Sequence, residues 1–326
     1  MISRRIAIGA GLVAPAAAWP GAGRAQQIPV VGIMAAGAPS SYDLSGYRQG
    51  LKDAGFVEGK NLLIEYRWGN DDPALMSAQA DDLVRRRVQV IVAAASGLVA
   101  HAAQKATGTI PIVFGFGIDP VQQGLVTSLN HPGGNVTGVT SRASELFGKQ
   151  ISLFHELVPQ ATRVGVLANS VSVQLAAVTH DSQSAASALG LSADILTVAT
   201  AADIDGLFAR LAAEKRIEGL IVSNDPLFIA QRVQLATLAA QHALPAIYPF
   251  REMAVAGGLM SYGPNLAERD REAGRYVGRI LRGEKPGDLP VEQMSKFALV
   301  INMKAARALG LPVSNSLQLL ADEVIE

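Results

Sequence analysis

The chain has 326 residues, 49% of them apolar and 17% charged, with Lys plus Arg and Asp plus Glu equal at 28 each. That length carries about two domains, and the apolar content excludes a disordered chain. The charge balance offers no basis for a nucleic-acid partner. With no cysteine there can be no disulfide, no thiolate chemistry and no lipid on a cysteine.

The first residues, MISRRIAIGAGLVAPAAAWPGAGRAQQ, place Arg4 and Arg5 before an uncharged run from Ile6 to Gly23. Small residues, Gly23 and Ala25, precede a cut at Ala25/Gln26. A basic start, a short apolar middle and a small-residue exit predict a signal peptide over 1–25. A membrane span needs about 20 predominantly apolar residues, and here Gly and Pro interrupt the run. Ser3-Arg4-Arg5 also opens like a twin-arginine signal, so two export routes stay open. The expected product is periplasmic and soluble, and not a lipoprotein.

From Ile28, apolar strand-like runs alternate with helical stretches. The predicted strands are 28–37, 61–69, 88–96, 110–117 and 135–140, and the segments between them repeat apolar residues at three and four positions. A helix over 144–158 leads to Pro159, after which the pattern restarts with RVGVLAN, ADILTVAT, GLIVSND and PAIYPF. GGLMSYG (257–263), a helix over 265–282 and FALVINM (297–303) follow. Continuous apolar strands alternating with helices predict parallel sheets covered on both faces, here an α/β layout of two similar lobes. The surplus elements at the end predict more than one crossing between them.

Strand ends in small or polar residues mark where ligands bind in such sheets. Ala36 and Gly37, Ser96 and Gly97, Gly117, Asn169, Asn224 and Tyr262 all stand at predicted strand ends. Two acids join them. Asp119 and Asp225 each precede a proline after an apolar strand, the pattern of a helix N-cap followed by proline at the first helical position. One acid in each half suits recognition of a cationic or hydroxyl group better than catalysis. Asp119 reads mainly as a cap and Asp225, in the polar run Ser223-Asn224-Asp225, mainly as a ligand contact.

Catalytic chemistry finds little support. Gly115-Phe116-Gly117 opens like a dinucleotide loop, but Pro120 stands where the third glycine belongs. The histidines at 101, 131, 155, 180 and 242 are dispersed without metal-ligand spacing. No serine lies in a nucleophile elbow. No catalytic residue, metal or cofactor is assigned.

YRQGLKDAGFVEGKNLLIEYRWGNDD, IPIVFGFGIDPVQQGLVTSLNHPGGNVTGVT and INMKAARALGLPVSNSLQLLADEVI closely resemble the ABC-transporter substrate-binding proteins of the tryptophan/tyrosine type. These are periplasmic binding proteins of the type 1 fold. The resemblance implies two Rossmann-like lobes joined by a three-segment hinge, a ligand clamped between them, and no catalysis. It sets Ser96-Gly97 where relatives carry a Thr-Pro pair, and Asp119 on their acid before proline. Asn169 falls on their asparagine after the first strand of the second lobe. Asp225 falls on an acid that faces an ammonium in amino-acid-binding members. Ala35-Ala36-Gly37 is smaller than the usual polar turn, and Ser223-Asn224 departs from the common pattern. The expected domains are a first lobe of 28–140 plus 257–285 and a second of 141–256 plus 290–326. The expected role is capture of a small organic solute, an amino acid or an aromatic or organic acid, by a monomer that delivers it to an inner-membrane ABC permease. The alternatives are an exported enzyme on a doubly wound fold and a ligand-sensing effector protein.

Overall fold

The computed structural model describes residues 28–39, 42–94, 96–117, 119–141 and 146–326. The predicted signal peptide lies outside them. The first half runs β1 (Val30–Ala35), α1 (Ser45–Asp53), β2 (Leu63–Trp68), α2 (Pro73–Arg85), β3 (Val90–Ala94), α3 (Gly97–Ala106), β4 (Ile112–Phe116) and β5 (Val136–Ser141). Next come α4 (Leu146–Leu157), β6 (Arg163–Asn169), α5 (Leu175–Ala188), β7 (Ser192–Val198), α6 (Ala201–Glu214) and β8 (Leu220–Val222). They are followed by α7 (Pro226–Ala230), α8 (Arg232–Gln241), β9 (Ala246–Tyr248), α9 (Arg251–Val255) and β10 (Met260–Pro264). The chain closes with α10 (Leu266–Leu281), β11 (Glu292–Met294), β12 (Phe297–Asn302), α11 (Met303–Ala308), α12 (Asn315–Leu320) and β13 (Glu323–Ile325).

Two sheets result, in the orders β11-β5-β4-β3-β1-β2 and β13-β12-β10-β9-β8-β6-β7. Strands β3 and β4 are buried along their whole length, because helices cover both faces of the first sheet. Successive side chains of β4 go to opposite cores. Ile112, Phe114 and Phe116 pack under α2 and α3, whereas Val113 packs with Ala273 and Val277 of α10. Helices α1 and α10 approach backbone to backbone. A Cβ on Gly50 would overlap the Arg271 carbonyl, and one on Gly274 would overlap the Tyr47 carbonyl.

The tail differs from expectation in two ways. Segment 257–263 was expected in the first lobe, but β10 pairs with β9 and β12 in the second sheet. Segment 290–326 was expected in the second lobe, but β11 pairs with β5 in the first. An apolar run shows a strand without showing which sheet edge is free to receive it. The five-residue α9 is long enough only to bring β10 beside its neighbour β9. The chain therefore passes between sheets three times: after Ser141, after Pro264, and between Met294 and Phe297. The sheets are not wholly parallel either, since β10 and β12 run antiparallel.

In each sheet the winding reverses once, between β3 and β1 in the first and between β8 and β6 in the second. At such reversals the loops beyond the strand ends part and leave a crevice.

Candidate ligand cleft

On the first sheet, β1 runs out into Ala36 and Gly37, both buried. Their carbonyls accept from Asp71 N at 2.7 Å and Asn70 N at 3.4 Å. Asn70 and Asp71 both hold left-handed backbone, φ 46° and 58°, which Asn and Asp tolerate better than other side chains. The loop after β2 is thereby pinned against the end of β1, with Asp71 at the rim. Beyond β3, Ser96 Oγ accepts from Leu98 N at 3.3 Å and caps α3, whose first residue is Gly97.

Asp119 departs from its expected helix. Its Oδ1 accepts from Val121 N at 2.8 Å and Gln122 N at 3.2 Å, but what it caps is a turn through Pro120–124. Gly124, at φ +68°, folds that turn back before a second helical turn can form. The carboxylate is exposed.

Asp225, its counterpart on the second sheet, is 8% exposed. Its Oδ1 accepts from Leu227 N at 2.9 Å, capping the short α7, and from Asn169 Nδ2 at 3.1 Å. Asn169 is itself fixed, its Oδ1 accepting from Val171 N at 3.1 Å. The hydrogen-bond partners of Asp225, which include Ser172, are all neutral. Burial pushes its carboxyl above the ordinary aspartate range, and Asp71 across the cleft adds to the rise. Tyr42 lies within the field of both acids: burial, then Asp71, then Asp225 push its phenol up. The cation that bears on Tyr42, buried Arg269, is already engaged, donating Nε and Nη2 to Asp270 Oδ1 at 2.9 and 2.7 Å.

The two lobes touch beside these acids. A Cβ on Gly117 would overlap Asn224 Nδ2, so only a glycine lets the β4 loop meet the β8 loop this closely. From that contact a cavity of about 690 Å³ opens toward β5, α4 and α5. Among the predicted residues, Gly117, Asp119 and Asn224 line it. Ala36, Gly37, Ser96, Gly97, Asn169 and Asp225 gather at the two sheet reversals beside it. Tyr262 stands apart: its ring packs on Phe297 at 5.9 Å, and its carbonyl accepts from Gln150 Nε2 at 2.9 Å.

Four residues that sequence reasoning missed belong to the region: Tyr42, Asp71, Ser141 and Gln150. Asp71 has a signal, because GNDD is a polar strand end like the others. Among the described residues no three His, Cys, Asp or Glu side chains group as metal ligands. No helix among them is long and apolar enough to cross a membrane.

Two α/β sheets joined by three crossings define the fold of the type 1 periplasmic binding proteins. More particularly, the chain belongs to the ABC transporter substrate binding protein family, whose model matches residues 30–325. A tyrosine-binding protein from Clostridioides difficile is 26% identical over 266 residues, 82% of this chain and 76% of the relative. A Streptococcus pneumoniae ABC domain in complex with L-Trp superposes with a TM-score of 0.82 at 22% identity, covering 91% of this chain and 99% of that one. A ligand-free, open substrate-binding protein from Clostridium difficile gives 0.69 at 24% identity, over 91% and 99%.

Proposed function

We propose that the protein captures a small amino compound in the interlobe cleft and hands it to a membrane permease of an ABC importer. The observation that carries this reading is Asp225: a buried carboxylate at a switch point, bonded among the described residues only to neutral groups and faced by a second acid. Burying a charge without a counter-charge is costly, and a ligand ammonium at this spot supplies what the fold leaves out. The named ligands of the tyrosine-binding relative and of the tryptophan-bound neighbour, both amino acids, fit the same chemistry. Ligand seated between the lobes makes its full set of contacts only when they close, which couples binding to hinge motion. In this reading the protein works as a periplasmic monomer without catalysis, and Ala36, Gly37, Ser96, Gly97, Asn169 and Asn224 form the cleft around the ammonium.

A thermal-shift panel of amino acids, aromatic amines, and organic acids without an amine checks it. At a hundredfold excess over Kd, a true ligand stabilises by about 2.7 kcal/mol. Amino compounds are expected to raise the melting temperature and amine-free acids to leave it unchanged. The opposite pattern overturns the reading.

A further inference from the structure

On the β5 side of the cleft, one buried polar atom has nothing to bond among the described residues. Ser141 ends β5 at 2% exposure, its Oγ has no hydrogen-bond partner among them, and the residue lines the 690 Å³ cavity. Other orphaned side-chain atoms exist among the described residues, on Tyr47, Gln79, His155, Glu252 and Ser261, but none of those residues borders this cavity. A buried hydroxyl without a partner is a standing cost to the fold, and one turned into a cavity is a place for a ligand to recover it.

A second donor arrives from the other lobe. A Cβ built on Gly117 would overlap Asn224 Nδ2 and stand 3.2 Å from Ser141 Oγ. Hydroxyl and amide thus converge from the two sheets beside a residue that has no side chain. A ligand oxygen reaching both from the cavity side accepts from both, and does so only while the lobes are together.

The lining decides what kind of oxygen fits. Gln122, Gln123, Gln150, Gln174 and Gln293 border the cavity, with Asp119, Asp181 and His180, and among the described residues neither Lys nor Arg does. Against these described residues a carboxylate or phosphate would face two acids without a fixed cation, which is unfavourable. A neutral hydroxyl avoids that penalty, and its own proton finds amide carbonyls. Gln150 commits its Nε2 to the Tyr262 carbonyl, which leaves Oε1 as the acceptor it offers.

Resting on the amine-binding reading above, we infer that the solute also carries an uncharged hydroxyl, which docks on Ser141 Oγ and Asn224 Nδ2. The cleft then selects hydroxylated amines over their deoxy counterparts.

Calorimetric titration of the full chain with two pairs of compounds differing by one hydroxyl tests this: L-tyrosine against L-phenylalanine, and tyramine against phenethylamine. The hydroxylated member is expected to bind about three- to tenfold more tightly, the worth of a neutral hydrogen bond. Ser141→Ala is expected to abolish that ratio while leaving the affinity for the deoxy member unchanged. Without ligand, Ser141→Ala should melt about 2–4 °C higher, because it removes an orphaned group. Equal affinities within both pairs, or a ratio that survives Ser141→Ala, overturns the hydroxyl assignment and leaves amine binding standing. A lower melting temperature in Ser141→Ala overturns it too, by showing a structural role. Failure of all four compounds to bind also overturns it, and the wider amine panel then decides separately whether the Asp225 reading falls with it.

Discussion

Asp119-Pro120 and Asp225-Pro226 are twins in sequence and opposites in the folded protein. Each acid follows an apolar strand, and each caps the turn that comes next. Asp119 does so in the open, on a turn that Gly124 ends at once. Asp225 does so while buried, held by Asn169 from the neighbouring strand at the sheet reversal. The residues just upstream, Gly117 and Asn224, are where the two loops meet across the cleft. A local motif therefore fixes local geometry, a cap, whereas strand order decides whether the same carboxylate becomes a surface group or a recognition element.

The largest effect that sharpens this contrast should come from Asp225→Asn. Asparagine caps about as well as aspartate, so the ligand-free melting temperature is expected to move little. Affinity for an amine should fall about ten- to a hundredfold in calorimetry, from loss of a charge-assisted hydrogen bond of about 1.5–3 kcal/mol. Retained affinity would make Asp225 merely a second Asp119.

A related, graded effect comes from pH. Burial, and then Asp71, raises the Asp225 carboxyl above its ordinary value of 3.8, and a bound ammonium would favour the ionised form. Affinity for an amine should thus fall as pH is lowered through that raised range, by up to about tenfold per unit. Asp225→Asn should flatten the dependence. The contribution of Asp225 to ligand-free stability has the other sign. A carboxyl raised in the folded state stabilises the fold as pH falls, and a melting series against pH separates the two trends.

The smallest expected effect is that of Asp119→Asn. An exposed cap replaced by an equivalent cap should leave both melting temperature and affinity within about 0.5 kcal/mol. A large loss of affinity here, with none in Asp225→Asn, would exchange the two roles.

Much of the fold was legible because buried parallel strands write themselves as apolar runs. Segments 88–96 and 110–117 contain β3 and β4, and RVGVLAN is β6 to the residue. The three-residue strands β11 and β13 were missed, since EQM and EVI are too short and too polar to stand out. Sheet membership of β10 and β11 was misread because pairing partners are set by tertiary packing, on which periodicity is silent. In the cleft, strand-end logic gathers Ala36, Ser96, Asn169 and Asp225 at the reversals. It overlooks Asp71, which reaches the site through a left-handed loop, and Ser141, whose hydroxyl has no partner among the described residues, a property that no sequence pattern carries.

The return of α10 and β11 to the first sheet also governs how the chain must assemble. Ala273, Tyr276, Val277 and Ile280 of α10 cover the face formed by Val31, Ile33 and Val92, and Thr137 Oγ1 donates to the Leu289 carbonyl at 2.7 Å, 152 residues further along. A chain synthesised from its N-terminus has all five leading strands in hand long before the helix that shelters them exists. That half-clad sheet must wait, exposed to mispairing, while strands β6 to β10 of the second sheet are made. The first lobe is therefore begun first but completed only after most of the second sheet exists, and a chain cut anywhere before α10 yields no complete first lobe.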